Sequence, residues 1–214
     1  MFKKIVNKVR HNSRLKKLKQ VDECLRPSSV DAVLEVGVAN IEYSQVDNFL
    51  IKKYNHPKNL TALGIGDLSE FRKRYPNIRV VSYDGGIFPF HDKEFDIAHS
   101  NAVIEHVGSR EAQECFLREI VRVSRRGMMT TPNRRFIFET HTRVPFMHWM
   151  GKEWFDRFLK VIGKGWAAGG YMHLLSFREL DSMAKRAGIK NYRIIRNRFF
   201  GFTMTFSLIW NESN

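Results

Sequence analysis

The feature that most constrains this chain is an alternation. Short apolar runs fall at 32–37, 60–65, 78–83, 95–100 and 127–131. Between them lie stretches with helical character, at 44–53, 69–74 and 110–124, the last with Phe116, Leu117, Ile120, Val121 and Val123 at helical spacing. The runs read as buried strands and the intervals as helices. A further helix is expected over 177–187, stopped by Gly188. Two strands, 192–199 and 202–210, then flank Gly201 as a tight hairpin. Strands that alternate with helices predict an α/β chain with a doubly wound, mostly parallel sheet. The closing hairpin predicts a C-terminal antiparallel addition.

The 214 residues suffice for one substantial core. An apolar fraction of 43% with 17 phenylalanines predicts a folded globule. No run approaches ~18 apolar residues, so no spanning helix is expected. The N-terminus lacks the apolar core of a secretory signal. Cys24 and Cys115 form neither a disulfide framework nor a metal ligand set, and a reducing cytoplasm is the expected compartment.

The net charge is +14 and uneven. Residues 1–20 carry Lys3, Lys4, Lys8, Arg10, Arg14, Lys16, Lys17 and Lys19 and no acid. Phe2, Ile5, Val6 and Val9 fall at helical spacing, so 1–29 reads as a basic amphipathic helix and linker, Arg26-Pro27-Ser28-Ser29 being the linker. Such a helix suits an anionic membrane surface, at the inner face of the membrane, or the phosphates of nucleic acid. Alternatively, it packs on the domain and leaves its basic face in water.

In an open parallel sheet the ligand lies at the carboxyl ends of the strands. The first strand runs into Glu35-Val36-Gly37-Val38-Ala39, where small residues let a ligand approach the backbone. Asp67 follows the second strand and suits the hydroxyls of a ribose, or caps the next helix. Asp84 follows the third and suits an adenine amino group, or serves the Gly85-Gly86 turn. Each acid alone fits the local role. Three strand ends in series point to a nucleoside ligand.

The fourth-strand region adds motifs. Phe88-Pro89-Phe90, Phe95-Asp96-Ile97, Ile104-Glu105-His106-Val107 and Glu119-Ile120-Val121-Arg122-Val123 resemble the type 11 methyltransferases, among the class I S-adenosylmethionine-dependent enzymes. That family reads LPF, FDVV, LEHV and E-x-x-RVL in this order, and the similarity covers roughly 30–135. The resemblance implies a Rossmann-like fold in a methyltransferase domain at 30–214 and S-adenosylmethionine as cofactor. It implies that Gly37 to Ala39 face the methionine part with Glu35 near it. Asp67 would bind the ribose, Leu68 would pack on the adenine, and Asp84 and Gly85 would hold its edge. Asn101 and Ala102 would line the sulfonium side. The family's G-x-G-x-G becomes Gly37-Val38-Ala39-Asn40-Ile41 here. Thr131-Pro132-Asn133-Arg134-Arg135, Glu139, His141-Thr142 and His148-Trp149 resemble a bacterial subset often found with cell-surface glycan genes.

Methyl transfer to a hydroxyl calls for a base with a pKa near neutrality. His106 is the candidate, since it follows the fourth strand; its other reading is a histidine that satisfies a helix start. Residues 133–173 read as an insertion on the acceptor side, with His141, His148 and Trp149 as candidate substrate contacts. Glu139, His141, His148 and His173 match no common zinc spacing, and no metal is expected. The expected activity is methyl transfer to a small-molecule, glycan or lipid-linked acceptor. One alternative is a non-catalytic binding or scaffolding module, favoured by the altered glycine loop. Another is an RNA methyltransferase, suggested by the charge but lacking an Asn/Asp-Pro-Pro-aromatic motif. A nicotinamide-dependent oxidoreductase fits worse, because the glycine fingerprint fails.

Overall fold

The computed structural model describes residues 2–136 and 173–211, with side chains from residue 7 onward. The described elements are α1 (Phe2–Leu25), β1 (Val33–Val36), α2 (Phe49–Lys53), β2 (Leu60–Ile65), α3 (Ser69–Arg74), β3 (Arg79–Tyr83), β4 (Phe95–Asn101), α4 (Arg110–Arg122), β5 (Ser124–Pro132), α5 (Phe177–Arg186), β6 (Tyr192–Phe199) and β7 (Phe202–Asn211). The seven strands form one sheet in the order β3-β2-β1-β4-β5-β7-β6. All pairs are parallel except those of β7, which runs antiparallel to β5 and β6. This is the doubly wound sheet with a late hairpin that the alternation predicts.

Period-two alternation assigns the strand side chains to two faces. Val33, Ile97, Met128 and Ile209 pack with Val21 and Leu25 of α1, Leu50 of α2 and Phe71 of α3. Leu34, Val36, Ala98, Met129 and Leu208 pack with Phe116, Leu117 and Ile120 of α4 and Leu180 and Met183 of α5. Burying each of the larger of these side chains contributes roughly 1.5–3 kcal/mol before conformational entropy is subtracted. Ser176 opens α5 with a reciprocal capping box to Glu179.

One local expectation changes. The helix expected over 44–53 is helical only from Phe49. Asp47 accepts hydrogen bonds from the Tyr43 and Ser44 amides, and Asn48 turns left-handed at φ 48°. These short polar side chains bond to the local backbone in a way that competes with helix formation. The basic N-terminal helix continues to Leu25 and lies on the domain. Gln20, Asn197 and Ser207 close a buried ring of hydrogen bonds, each 2.8 Å, that ties α1 to the hairpin. Arg126 holds the Leu25 carbonyl at 3.0 Å and Asp31 at 2.9 Å, which fixes the helix end. From residue 14 onward, the reading of this helix as a packed element holds.

Residues 137–172 lie outside the described part, and with them fall His141, His148, Trp149 and most of the expected insertion. Its two flanks meet: Asn133 bridges Leu175, and the Arg134 amide donates to the Leu175 carbonyl at 3.0 Å. Among the described residues, no helix is long and apolar enough to cross a membrane, and no group of His, Cys, Asp or Glu could hold a metal ion.

Candidate functional site

Strand order reverses between β1 and β4: the chain builds outward through β2 and β3 on one side, then through β4 and β5 on the other. A crevice opens at such a point, beyond the carboxyl ends of the strands. A cavity of about 160 Å³ lies there, lined by Gly37 and Ala39 after β1, by Asn101 to Val103 after β4, and by Arg14 and Lys17 of α1.

Gly37 sits at φ +89°, and a Cβ there would run into the Val103 side chain. The residue is therefore required both by its conformation and by the close approach of the loop after β4. Its amide donates to the Leu63 carbonyl at 2.8 Å. Ala39 is held from both sides by Asn48, which accepts from its amide at 2.8 Å and donates to its carbonyl at 2.9 Å. Asn40 accepts from the Phe71 amide and donates to Asp67 at 3.3 Å. The turn that lacks the family's second glycine is thus ordered by asparagines.

The second and third strand ends are open. Asp67 is exposed and accepts from the Ser69 hydroxyl at 2.8 Å and amide at 2.9 Å. The Ser69 hydroxyl, then its amide, holds the Asp67 carboxyl below its ordinary range. Leu68 points into the core at 1% exposed, beside the Val38 and Phe71 cluster, and presents no open face in this structure. Ile65, in contrast, is 61% exposed at the end of β2. Asp84 is exposed, and Gly85 and Gly86 turn at φ +99° and +78°. Ile65 pairs with Tyr83, so these ends stand side by side on one edge.

At the end of β4, Asn101 Oδ1 accepts from Thr130 Oγ1 at 2.8 Å and from Lys17 Nζ at 3.2 Å. Asn101 Nδ2 is buried with no hydrogen-bond partner among the described residues. Ala102 adopts φ +60°, which turns the chain sharply toward Val103. His106 lies in a short 3₁₀ turn, Ile104–His106, exposed and outside the cavity lining. Its neighbour Glu105 is buried and accepts from Thr131 Oγ1 at 3.3 Å.

Three cavity residues escape the sequence reading. His99, on β4, shares a buried hydrogen bond with Glu35 of β1, where register pairs the two residues. Arg14 and Lys17 come from the helix that the sequence presents as a basic surface. Lys17 is only 6% exposed. Burial foremost, then the Arg14 charge, lowers its amine to about 7. Burial also lowers the Arg14 guanidinium from its ordinary value. The spacing of 14, 17, 21 and 25 marks one helical face, but only tertiary packing shows which face turns inward.

The motifs that carry the family resemblance have a structural task. Glu119 Oε2 accepts from the Phe88 amide and from Arg122, both at 2.7 Å. Arg122 also reaches the Phe88 and Phe90 carbonyls at 3.1 and 2.9 Å. The E-x-x-R pair on α4 therefore clamps the Phe88-Pro89-Phe90 segment onto the sheet.

The fold is that of the class I S-adenosylmethionine-dependent methyltransferases. Residues 58–129 match the type 11 methyltransferase domain family, which bears out the resemblance. Solved structures agree in fold. A SAM-dependent methyltransferase from Thermotoga maritima superposes with TM-score 0.61 at 14% identity, over 97% of this chain and 92% of that one. The magnesium protoporphyrin IX methyltransferase of Synechocystis PCC 6803, solved with bound S-adenosylhomocysteine, gives 0.58 at 12% identity, over 99% and 88%. A SAM-dependent methyltransferase from Methanosarcina mazei gives 0.51 at 15% identity, over 86% and 92%. No curated protein matches the chain.

Proposed function

We propose that this protein binds S-adenosylmethionine along the edge from β3 to β4 and transfers its methyl group to an oxygen or nitrogen of an acceptor. One observation carries the reading: Gly37, left-handed beneath Val103, lies at the strand-order reversal with an acid at each of the next two strand ends. The residues fit the cofactor. A turn without a Cβ admits its amino-acid end, an ionised Asp67 accepts the ribose hydroxyls, and Asp84 with Gly85 takes the adenine edge. Leu68 would serve the adenine only by turning out of the core. Asn101, whose Nδ2 is buried without a partner, and Ala102 line the sulfonium side. The bound cofactor supplies a methyl group activated by a positive sulfur.

The chain then has to orient two reactants and exclude water, and near-attack positioning supplies most of the acceleration such a displacement needs. An acceptor hydroxyl also loses a proton, and His106 is the group proposed to take it. The test is calorimetric titration with S-adenosylhomocysteine. Micromolar binding that Asp67→Ala weakens by about tenfold or more supports the reading, as expected for loss of a charged hydrogen-bond acceptor. A folded protein that binds no S-adenosylhomocysteine points to the second reading, a non-catalytic module. The substitution of Ala39 for the family's glycine favours that alternative.

The acceptor class we propose is small-molecule, glycan or lipid-linked, the last met at an anionic membrane surface. The hairpin tip supports the lipid-linked case. Since β6 runs parallel to β5, the Phe200-Gly201 turn projects from the same edge as the crevice. Phe200 is 86% exposed and Phe202 56%, with Arg196 and Arg198 exposed beside them. Aromatics flanked by arginines suit a headgroup boundary. Sedimentation with vesicles containing anionic lipid, with and without residues 1–10, tests this. Salt-steep RNA binding in place of vesicle binding would favour an RNA acceptor.

A further inference from the structure

α1 crosses the crevice with two cations turned inward. Lys17 Nζ ends 3.2 Å from Asn101 Oδ1, and Arg14, one helical turn earlier, lines the same cavity. Among the described residues neither cation has a carboxylate in ion-pair contact. Glu35 of β1, which lines the same cavity, is engaged by His99 of β4. Asp47, before α2, spends its carboxylate on the Tyr43 and Ser44 amides and the Ser44 hydroxyl. Glu105, after β4, is turned to Thr131. Two inward basic groups without an ion-pair contact are costly, because burial is offset only by the charges of Glu35, Asp47 and Glu105 acting at a distance and, at Lys17, by the Asn101 hydrogen bond.

We infer that Arg14 and Lys17 form an anion-receiving subsite above the Gly37 turn, which takes the carboxylate at the amino-acid end of the ligand, and that Lys17 captures a proton as the carboxylate arrives. The inference rests on the cofactor reading above. The balance is simple. Before the carboxylate arrives, well above pH 7, the Lys17 amine is largely neutral, hydrogen-bonded to Asn101, and Arg14 carries the only charge of the pair. An incoming carboxylate adds one negative charge beside the amine. The amine takes one proton from solvent, and a buried ion triad of Arg14, carboxylate and Lys17 results. His99 and Glu35 keep their shared hydrogen bond throughout. The burial that holds the amine near 7 sets the range in which the uptake is visible.

The experiment is calorimetry at pH 8.5 in two buffers of different ionisation enthalpy, with two probes. S-adenosylhomocysteine carries the amino-acid end; 5′-methylthioadenosine lacks it. The expected result is uptake of nearly one proton per S-adenosylhomocysteine bound, little at pH 6, and none with methylthioadenosine. Lys17→Met is expected to abolish the uptake and weaken S-adenosylhomocysteine by about 10- to 100-fold, as for a charge-assisted hydrogen bond. Methylthioadenosine affinity should stay the same. Lys17→Arg, always charged, should keep the affinity and lose the uptake. S-adenosylhomocysteine binding without proton uptake, or uptake that survives in Lys17→Met, overturns the subsite and leaves the cofactor reading standing. Binding of neither probe by a folded protein overturns both.

Discussion

The two ends of the proposed ligand groove are built on opposite principles. At β2 and β3 the edge is open: Asp67 and Asp84 stand in water on short turns. At β1 and β4 it is closed, with Lys17 buried beneath α1 and Gly37 pressed against Val103. The open end offers acceptors for hydroxyls and amines. The closed end offers donors and positive charge. A ligand with a nucleoside at one end and an amino acid at the other meets each with the opposite polarity. The difference also separates their responses to pH: Asp67 stays ionised across the neutral range, whereas Lys17 titrates within it.

Three changes would break or sharpen this contrast. The largest effect is expected from Gly37→Ala. A β-carbon there meets Val103 at a left-handed backbone, and strain and overpacking together cost about 3 kcal/mol. Urea unfolding should show that loss, and S-adenosylhomocysteine binding should vanish. A stable variant with intact binding would mean that the crevice is looser than described.

Lys17→Met is next, and its effect has a definite sign. The folded chain holds the amine at about 7 against its ordinary 10.5. Between those values the unfolded chain binds more protons, so wild-type stability rises with pH from about 7 upward. Below 7 the folded protein carries the full cost of a buried cation. The variant should therefore melt higher than wild type at pH 6.5, by roughly 3 °C or more, with the gap narrowing by pH 9. Parallel melting curves at both values would mean that Lys17 is charged alike in both states.

The smallest effect belongs to the open side of the molecule. Phe200 occupies φ +45°, a conformation that asparagine tolerates better. Phe200→Asn should raise stability by less than about 1 kcal/mol and weaken any vesicle binding. A destabilised variant would show that the ring packs rather than projects.

Much of the fold was legible because strands buried on both faces print as near-continuous apolar runs, as in Val33–Val36 and Leu60–Ile65, interrupted by Glu35 and Thr61. The sheet's first three ends stood out only as a series: Asp67 and Asp84 each fit a local turn or cap as well, and Asp67 does accept from Ser69. The helix before Phe49 was not, because Asp47 and Asn48 bond to local backbone in ways that composition does not announce. Arg14 and Lys17 were hidden by their own type. Eight cations in twenty residues look like a solvated surface, and only tertiary packing, through Val21, Leu25 and the ring of Gln20, Asn197 and Ser207, fixes which of them turn inward. His99 was hidden in the middle of a strand, where its partner Glu35 is 64 residues away in sequence.

The position of β7 bears on how the chain is made. Residues 202–211 fill the slot between β5 and β6. During synthesis, β5 emerges more than seventy residues before its second neighbour does. Its free edge then presents the backbone of Met128 to Thr131, a segment fully buried once β7 arrives. An unpaired apolar edge of this kind is a template for pairing with another chain. The hairpin therefore acts as a late seal, and shortening this protein at its C-terminal side should cost solubility before it costs secondary structure.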